Sequence, residues 1–247
     1  MIVGIIPARY ASTRLPAKPL ADIGGQSMIQ RVYLQCRKAN LLDDVWVATD
    51  DTRIFDHVAA FGGKAILTQA THQSGTDRCA EAIQLCCPDA KVVINIQGDE
   101  PFINPLQIDH LAQLFANPDV QIATLIKAIN SHTELFDPSK PKVVVDKSNR
   151  AIYFSRHPIP YLRNIAEQTQ WHLHHPFYKH IGIYGYRTHT LQQLTQLPIG
   201  TLEQAESLEQ LRWIEHGYQI YTNITEHESL SIDTPEDLEK ARTMLDC

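Results

Sequence analysis

Arg9, Arg14 and Lys18 cluster in the segment IIPARYASTRLPAKPL, and no acidic residue follows them until Asp22. A forked guanidinium grips two oxygens of one phosphate, while an ammonium supplies a compact charge. Together with backbone N–H groups of the Ala-Ser-Thr turn, these cations can neutralise a triphosphate and stabilise a departing pyrophosphate. The plainer alternative is a solvated basic loop paired with surface acids. Clustering, loop length and position favour the anion site.

Three further groups carry chemistry. In VVINIQGDEP, residues 92–101, an apolar run ends in Gln97, and Gly98 would let the backbone approach a ligand closely. Asp99 and Glu100 follow on the same rim as the cations. A carboxylate there repels a triphosphate unless a divalent cation lies between, and Mg²⁺ takes one or two carboxylates plus phosphate oxygens. In SIDTPEDL, Asp233 reads first as part of a helix start with Pro near the first turn. It becomes a second metal carboxylate only if the fold brings it to that rim. In YFSRHPIPY, YKHIGIYGYR and AESLEQLR, Arg156, His180 and Tyr184 can hold an anionic, hydroxyl-rich molecule, and Glu209 and Gln210 can take its hydroxyls from a helix. Residues of these types standing singly are more often structural.

The elements that must position these groups alternate in type. Strands are expected at Ile2–Ile6, Val45–Thr49, Ala65–Thr68, Val92–Ile96 and Ile122–Ile126, each a near-continuous apolar run suited to a strand covered on both faces. Between them, Met28, Ile29, Val32, Tyr33 and Cys36 recur at helical spacing, as do Ile54, Phe55, Val58 and Phe61. Ser27 and Asp51 suit N-caps and Gly62-Gly63 a C-cap. The alternation predicts an α/β fold with a doubly wound, mostly parallel sheet. The loop at Ala8–Gln26 leaves the carboxyl end of the first strand, where such sheets bind ligands. After about residue 130 the rhythm changes. Strands at Val143–Val145, Ile152–Phe154 and Ile181–Tyr186 flank a Pro-, His- and aromatic-rich stretch, 157–179, which reads as an arm that meets another subunit. A helix with Leu208, Leu211 and Ile214 on one face, a strand at Tyr218–Asn223 and a helix from Pro235 follow. One domain spanning 1–247, with an insertion at about 130–200, is the expected organisation.

Composition narrows the function. The chain has 247 residues, 43% hydrophobic and 20% charged, with a formal charge of −6, so a general nucleic-acid binder is not expected. No stretch approaches the roughly 20 apolar residues of a membrane span, and no signal-like N-terminus is seen, so a cytoplasmic protein is expected. Five cysteines (Cys36, Cys79, Cys86, Cys87, Cys247) form no paired framework and read as reduced thiols. HLHH, residues 172–175, lacks cysteine partners at finger spacing and reads as a polar arm rather than a zinc site. GxxxxGK[ST] and GxGxxG are both absent, which excludes a Walker loop and disfavours a dinucleotide dehydrogenase.

Taken together, IIPARYASTRLPAKPL, VATDD, HQSGTDR, NIQGDEP, YFSR, HIGIYGYR, LEQLR and DTPEDL resemble the 3-deoxy-manno-octulosonate cytidylyltransferases, in order and over nearly the whole chain. The resemblance implies a Rossmann-like nucleotidyltransferase fold with an inserted dimerisation arm, a homodimer and Mg²⁺ dependence. It implies the conversion of CTP and 3-deoxy-D-manno-octulosonate (Kdo) to CMP-Kdo and pyrophosphate, for lipopolysaccharide synthesis. By motif, Arg9, Arg14 and Lys18 would bind the triphosphate, with Ala8, Ser74 and Gly75 along the nucleotide. Asp99 and Asp233 would hold magnesium. Gln97, Arg156, His180, Tyr184, Glu209 and Gln210 would contact the sugar acid. Two departures stand out. Ala17 occupies the glycine position of the family's RLPGKPL loop, a strained choice if φ there is positive. No glycine precedes Ile232-Asp233.

The nearest rivals are a cytidylyltransferase for sialic acid or 8-amino-Kdo, and a nucleotide-binding protein without turnover. The retained Lys18, Asp99 and Asp233 argue against the last.

Overall fold

The computed structural model describes residues 1–11, 14–228 and 230–245. Ser12 and Thr13 of the Ala-Ser-Thr turn, and Cys247, lie outside the described residues. In chain order the elements are β1 (Ile2–Ala8), a small hairpin of β2 (Asp22–Ile23) and β3 (Gln26–Ser27), α1 (Met28–Cys36), β4 (Asp44–Thr49), α2 (Thr52–Ala60), β5 (Ala65–Leu67) and α3 (Gly75–Cys86). Next come β6 (Val92–Asn95), α4 (Pro105–Gln113), β7 (Ile122–Ala128), α5 (His132–Leu135), β8 (Lys142–Val145) and β9 (Ala151–Ser155). The chain continues through α6 (Trp171–His174), β10 (Tyr178–Arg187), α7 (Thr188–Leu194), α8 (Thr201–Glu206), α9 (Gln210–Glu215), β11 (Ile220–Ile224) and α10 (Pro235–Thr243).

The central sheet runs β11-β7-β10-β6-β1-β4-β5. β10 is antiparallel to both β6 and β7, and the other pairings along that path are parallel. The expected mostly parallel sheet is therefore present, with β10 as the reversed strand. From β1 the chain steps outward to β4 and β5, then returns to β6 on the other side of β1. That reversal opens a crevice at the carboxyl ends of β1 and β6, where doubly wound sheets place ligands.

Alternation along the strands divides the core into two layers. Ile6, Val45, Val47, Ile94 and Leu125 face α1, α2 and α4, whereas Val3, Ile5, Val93, Ile122 and Tyr186 face α3, α7 and α9. Strands covered on both faces must be apolar throughout, which is why these runs were legible. The N-caps form as expected, with Ser27 accepting from Gln30 N and Asp51 from Arg53 N. Gly62, at φ 79°, follows the α2 C-terminus.

Two late elements differ from expectation. The helix expected to carry Leu208, Leu211 and Ile214 starts only at Gln210 as α9, preceded by the separate α8 and a left-handed Ser207 (φ 52°, ψ 49°). Leu208 therefore lies in the link. The strand placed at Tyr218–Asn223 occupies Ile220–Ile224, in parallel register with Ile122–Ile126. The stretch between β9 and β10 leaves the sheet as expected. It is anchored by buried Trp171 against Ile129, Leu135 and Phe177.

Candidate active site

A cleft of about 600 Å³ opens at the carboxyl ends of β1 and β6. Ala8, Arg9, Arg14, Lys18, Ser74, Gly75, Gln97, Asp99 and Asp233 all line it, so the basic loop, the QGDE turn and the DTPEDL segment converge. Lys18 opens a short 3₁₀ turn, Lys18–Leu20, whose N-cap Ala17 has φ 54° and ψ 27°. The strained conformation anticipated for Ala17 is present. The turn aims the Lys18 ammonium between two carboxylates, 2.6 Å from Asp99 Oδ2 and 2.9 Å from Asp233 Oδ1. Arg14 Nη2 reaches the same Asp233 oxygen at 3.0 Å. Lys18 and Asp99 side chains are only 15% and 24% exposed, so their attraction is screened less than that of a surface pair.

Asp233 reaches the rim without the missing glycine. Ile232, fully buried, donates its N–H to the Asp99 carbonyl at 2.9 Å, stitching the two acidic loops together. The α10 capping box, Thr234 with Asp237, then fixes the chain just beyond. Gly98 lines the cleft and also meets a packing need. A Cβ there would lie 2.9 Å from the Pro7 carbonyl oxygen, so the glycine lets the QGDE turn pack on the end of β1. The carboxylates fit a divalent cation. Two hard oxygen donors already converge on one ammonium, and Mg²⁺ needs one or two carboxylates when phosphate and water complete its shell. Among the described residues no group of three or more His, Cys, Asp or Glu side chains gathers for a metal, at HLHH or elsewhere.

Sequence reasoning missed several cleft residues. His72, Gln73 and Arg78 also line it, all within or beside HQSGTDR, from which only Ser74 and Gly75 were taken. Ser74 caps α3, accepting from Asp77 N at 3.1 Å, so the N-terminal end of a twelve-residue helix borders the cleft and favours anions. Arg78 is buried, donating to Thr68 Oγ1 at 2.6 Å. His72 Nε2 meets the Glu81 carboxylate. Burial pushes the Glu81 carboxyl up, but hydrogen bonds from His72 and the Gln69 N–H outweigh it and hold it below its ordinary value.

Of the six sugar-contact residues, Gln97 alone lines the cleft; the other five do not. Gln97 Nε2 donates to the Gly182 carbonyl at 2.9 Å, at a bulge in β10 between Ile181 and Tyr184. Thr124 fills the bulge by donating to the Ile183 carbonyl at 2.7 Å. With that proton committed, His180 Nε2, 3.0 Å from Thr124 Oγ1, is the donor. His180 is half-buried, and its desolvation pushes its pKa down to about 3. Glu209 accepts from Thr76 Oγ1 at 2.8 Å. Burial raises its carboxyl above the ordinary value, opposed by that hydroxyl. Arg156 is engaged elsewhere, donating to the backbone carbonyls of Glu206, Pro138 and Ser207.

Some polar groups of the interior stand unpaired. The hydroxyls of Tyr184 and Tyr186, Asn95 Oδ1 and Gln210 Nε2 are buried without hydrogen-bond partners among the described residues. Tyr184 stands opposite Asn95 in the sheet, stacks on Tyr186 and packs edge-on against Trp213. Burial, with the nearby Glu209 charge, drives both phenols well above their ordinary pKa. Each such orphan costs about 1–3 kcal/mol.

Comparison with known proteins agrees with this geometry. The family model described as Cytidylyltransferase matches residues 3–224. A 3-deoxy-manno-octulosonate cytidylyltransferase from Parabacteroides distasonis is 56% identical, with 98% of this chain and 97% of the relative covered. One from Thermodesulfovibrio yellowstonii is 47% identical over 98% and 96%. A solved CMP:2-keto-3-deoxy-manno-octonic acid synthetase complexed with CTP superposes with a TM-score of 0.91, at 46% identity, over 99% of this chain and 98% of that one. The chain belongs to the cytidylyltransferase family and, within it, to the 3-deoxy-manno-octulosonate cytidylyltransferases.

Proposed function

We propose that this protein transfers the cytidylyl group of CTP to Kdo, giving CMP-Kdo and pyrophosphate. The convergence of Arg9, Arg14 and Lys18 with Asp99 and Asp233 in one cleft carries the reading. The relatives' names and the CTP complex of the similar structure support the choice of substrates. The reaction is an in-line displacement, in which the anomeric C2 hydroxyl of the sugar acid attacks the α-phosphorus and pyrophosphate leaves.

Arg9 and Arg14 hold the outer phosphates, and Lys18 follows the charge that builds on the leaving oxygen. The α3 N-terminus, with Ser74 and Gly75, seats the nucleotide. Asp99 and Asp233 would hold Mg²⁺, which would supply Lewis-acid polarisation of the phosphate when bound. Gln97, Tyr184, Glu209 and Gln210 orient the sugar hydroxyls toward the cleft. His180, neutral and with its Nε2–H given to Thr124, keeps Nδ1 as an acceptor. No residue is assigned as a dedicated base, so catalysis is mainly positioning and electrostatics.

We place the reaction in the cytoplasm, where CTP is made. No helix among the described residues is long and apolar enough to cross a membrane. The arm between β9 and β10 exposes Tyr161 and Leu173 at 70% and 72%, which supports a homodimer joined there.

The test is pyrophosphate release from CTP and Mg²⁺, with and without Kdo, with sialic acid and 8-amino-Kdo in parallel. Kdo-dependent release is the expected result. Release only with another acid reassigns the substrate, and CTP binding without release from any acid refutes catalysis.

A further inference from the structure

The kink between α8 and α9 is held from outside. Glu206 accepts through its carboxylate from Ser155 Oγ at 2.7 Å and from the Arg156 N–H at 2.9 Å. Its carbonyl accepts from Arg156 Nε at 2.7 Å, and the Ser207 carbonyl accepts from Nη2 of the same guanidinium at 3.2 Å. These bonds fasten the kink to the end of β9. They do so at Ser207, a non-glycine residue in left-handed conformation, which persists only where its surroundings over-determine it.

Past the kink the chain immediately presents Glu209 to Thr76, and the next residue, Gln210, is buried with its Nε2 unpartnered among the described residues. The two short helices are also braced to each other. Arg212 forks onto Glu203 at 2.6 and 2.7 Å, and Glu215 accepts from Thr201 Oγ1 and the Leu202 N–H. α8 and α9 therefore behave as one bracket, whose angle to the sheet is set where Glu206 meets β9. Glu206 is not among the residues lining the cleft with Lys18, Asp99 and Asp233.

We infer that Glu206 is a positioning residue for the sugar-acid subsite, clamping the Ser207 kink to β9 so that Glu209 and Gln210 are correctly aimed. The inference rests on the functional reading above. It assigns Arg156 a share of the same task, since one guanidinium spans the kink.

The test compares Glu206→Ala and Glu206→Gln with the wild-type chain, varying Kdo and CTP separately and recording thermal melts. Glu206→Ala should raise the KM for Kdo about tenfold or more while the KM for CTP stays within about twofold. Glu206→Gln, which keeps one acceptor oxygen, should fall between. An unchanged KM for Kdo in Glu206→Ala, or equal rises for both substrates, overturns the inference. If Glu206→Ala does not fold, Ser155→Ala removes a single bond of the clamp. It should raise the KM for Kdo about threefold, leaving that for CTP alone, and no change would overturn the inference. Wild-type protein that does not turn over Kdo refutes the functional reading and this inference with it. Active wild type with unaffected variants refutes this inference alone.

Discussion

The ammonium of Lys18 lies 2.6 Å from Oδ2 of Asp99, joining the loop after β1 to the loop after β6. Asp233 shares the same ammonium at 2.9 Å. Three charged groups from three distant segments thus form one unit, in which two negative charges are held beside one lysine. Like charges this close repel unless a cation stands between them.

Asp99→Asn keeps the shape of the side chain and removes its charge. Turnover should fall by roughly 10²–10⁴-fold, the range for losing a group that stabilises charge in the transition state. Circular dichroism and the melting temperature should stay close to wild type. Near-normal pyrophosphate release would refute the carboxylate's assignment to the metal.

Lys18→Met retains length and loses the cation. Turnover should drop by roughly 10²–10³-fold. The melting temperature should also rise more steeply with added MgCl₂ than that of the wild-type chain, since Asp99 and Asp233 have lost their shared partner. Equal Mg²⁺ responses would show that Lys18 does not offset these carboxylates.

Ala17→Gly should stabilise the fold. Alanine at φ 54° pays a left-handed penalty that glycine avoids, though glycine gives back part of it through a freer unfolded chain. The net expectation is about 0.5–1 kcal/mol, or roughly 1–4 °C in Tm for a chain of this size. A lower Tm would mean that the conformation is not strained.

His180 makes stability fall in acid. Its folded pKa is depressed to about 3, below the ordinary value of 6.5. The unfolded chain therefore binds the extra proton first as pH drops. The contribution is fully present above about pH 6.5 and is lost progressively down to about pH 3, at up to roughly 1.4 kcal/mol per pH unit. Denaturant melts of wild type and His180→Gln across that window should show the variant's slope reduced by about this amount, with other groups cancelling. Identical slopes would show that His180 titrates normally.

Much of this was readable from residue order because parallel strands covered on both faces are apolar throughout, and Val92–Asn95 or Ile2–Ala8 announce themselves. Motif resemblance carried Asp233 to Lys18 across most of the chain, which periodicity cannot do. The failures have physical causes. Ser207 turns left-handed without a glycine to mark it, so the helix was expected to include Leu208, which lies in the link before α9. The β10 bulge at Gly182 follows from Thr124 on a neighbouring strand. Arg156 binds backbone carbonyls, which every residue type offers, so nothing in the sequence names its partners. The close approach of Pro7 to Gly98 is a tertiary fact that residue order does not show.

Ser74 and Gly75, at the start of α3, line the cleft, and the next residue, Thr76, holds Glu209. Under the proposed function these three consecutive residues serve two ligands, so a shift in that turn is felt at both. Whatever factor CTP applies to the affinity for the sugar acid, the sugar acid must apply to CTP, because coupling of equilibria is reciprocal. Ordering the turn is done once, and the ligand arriving second meets it already in place.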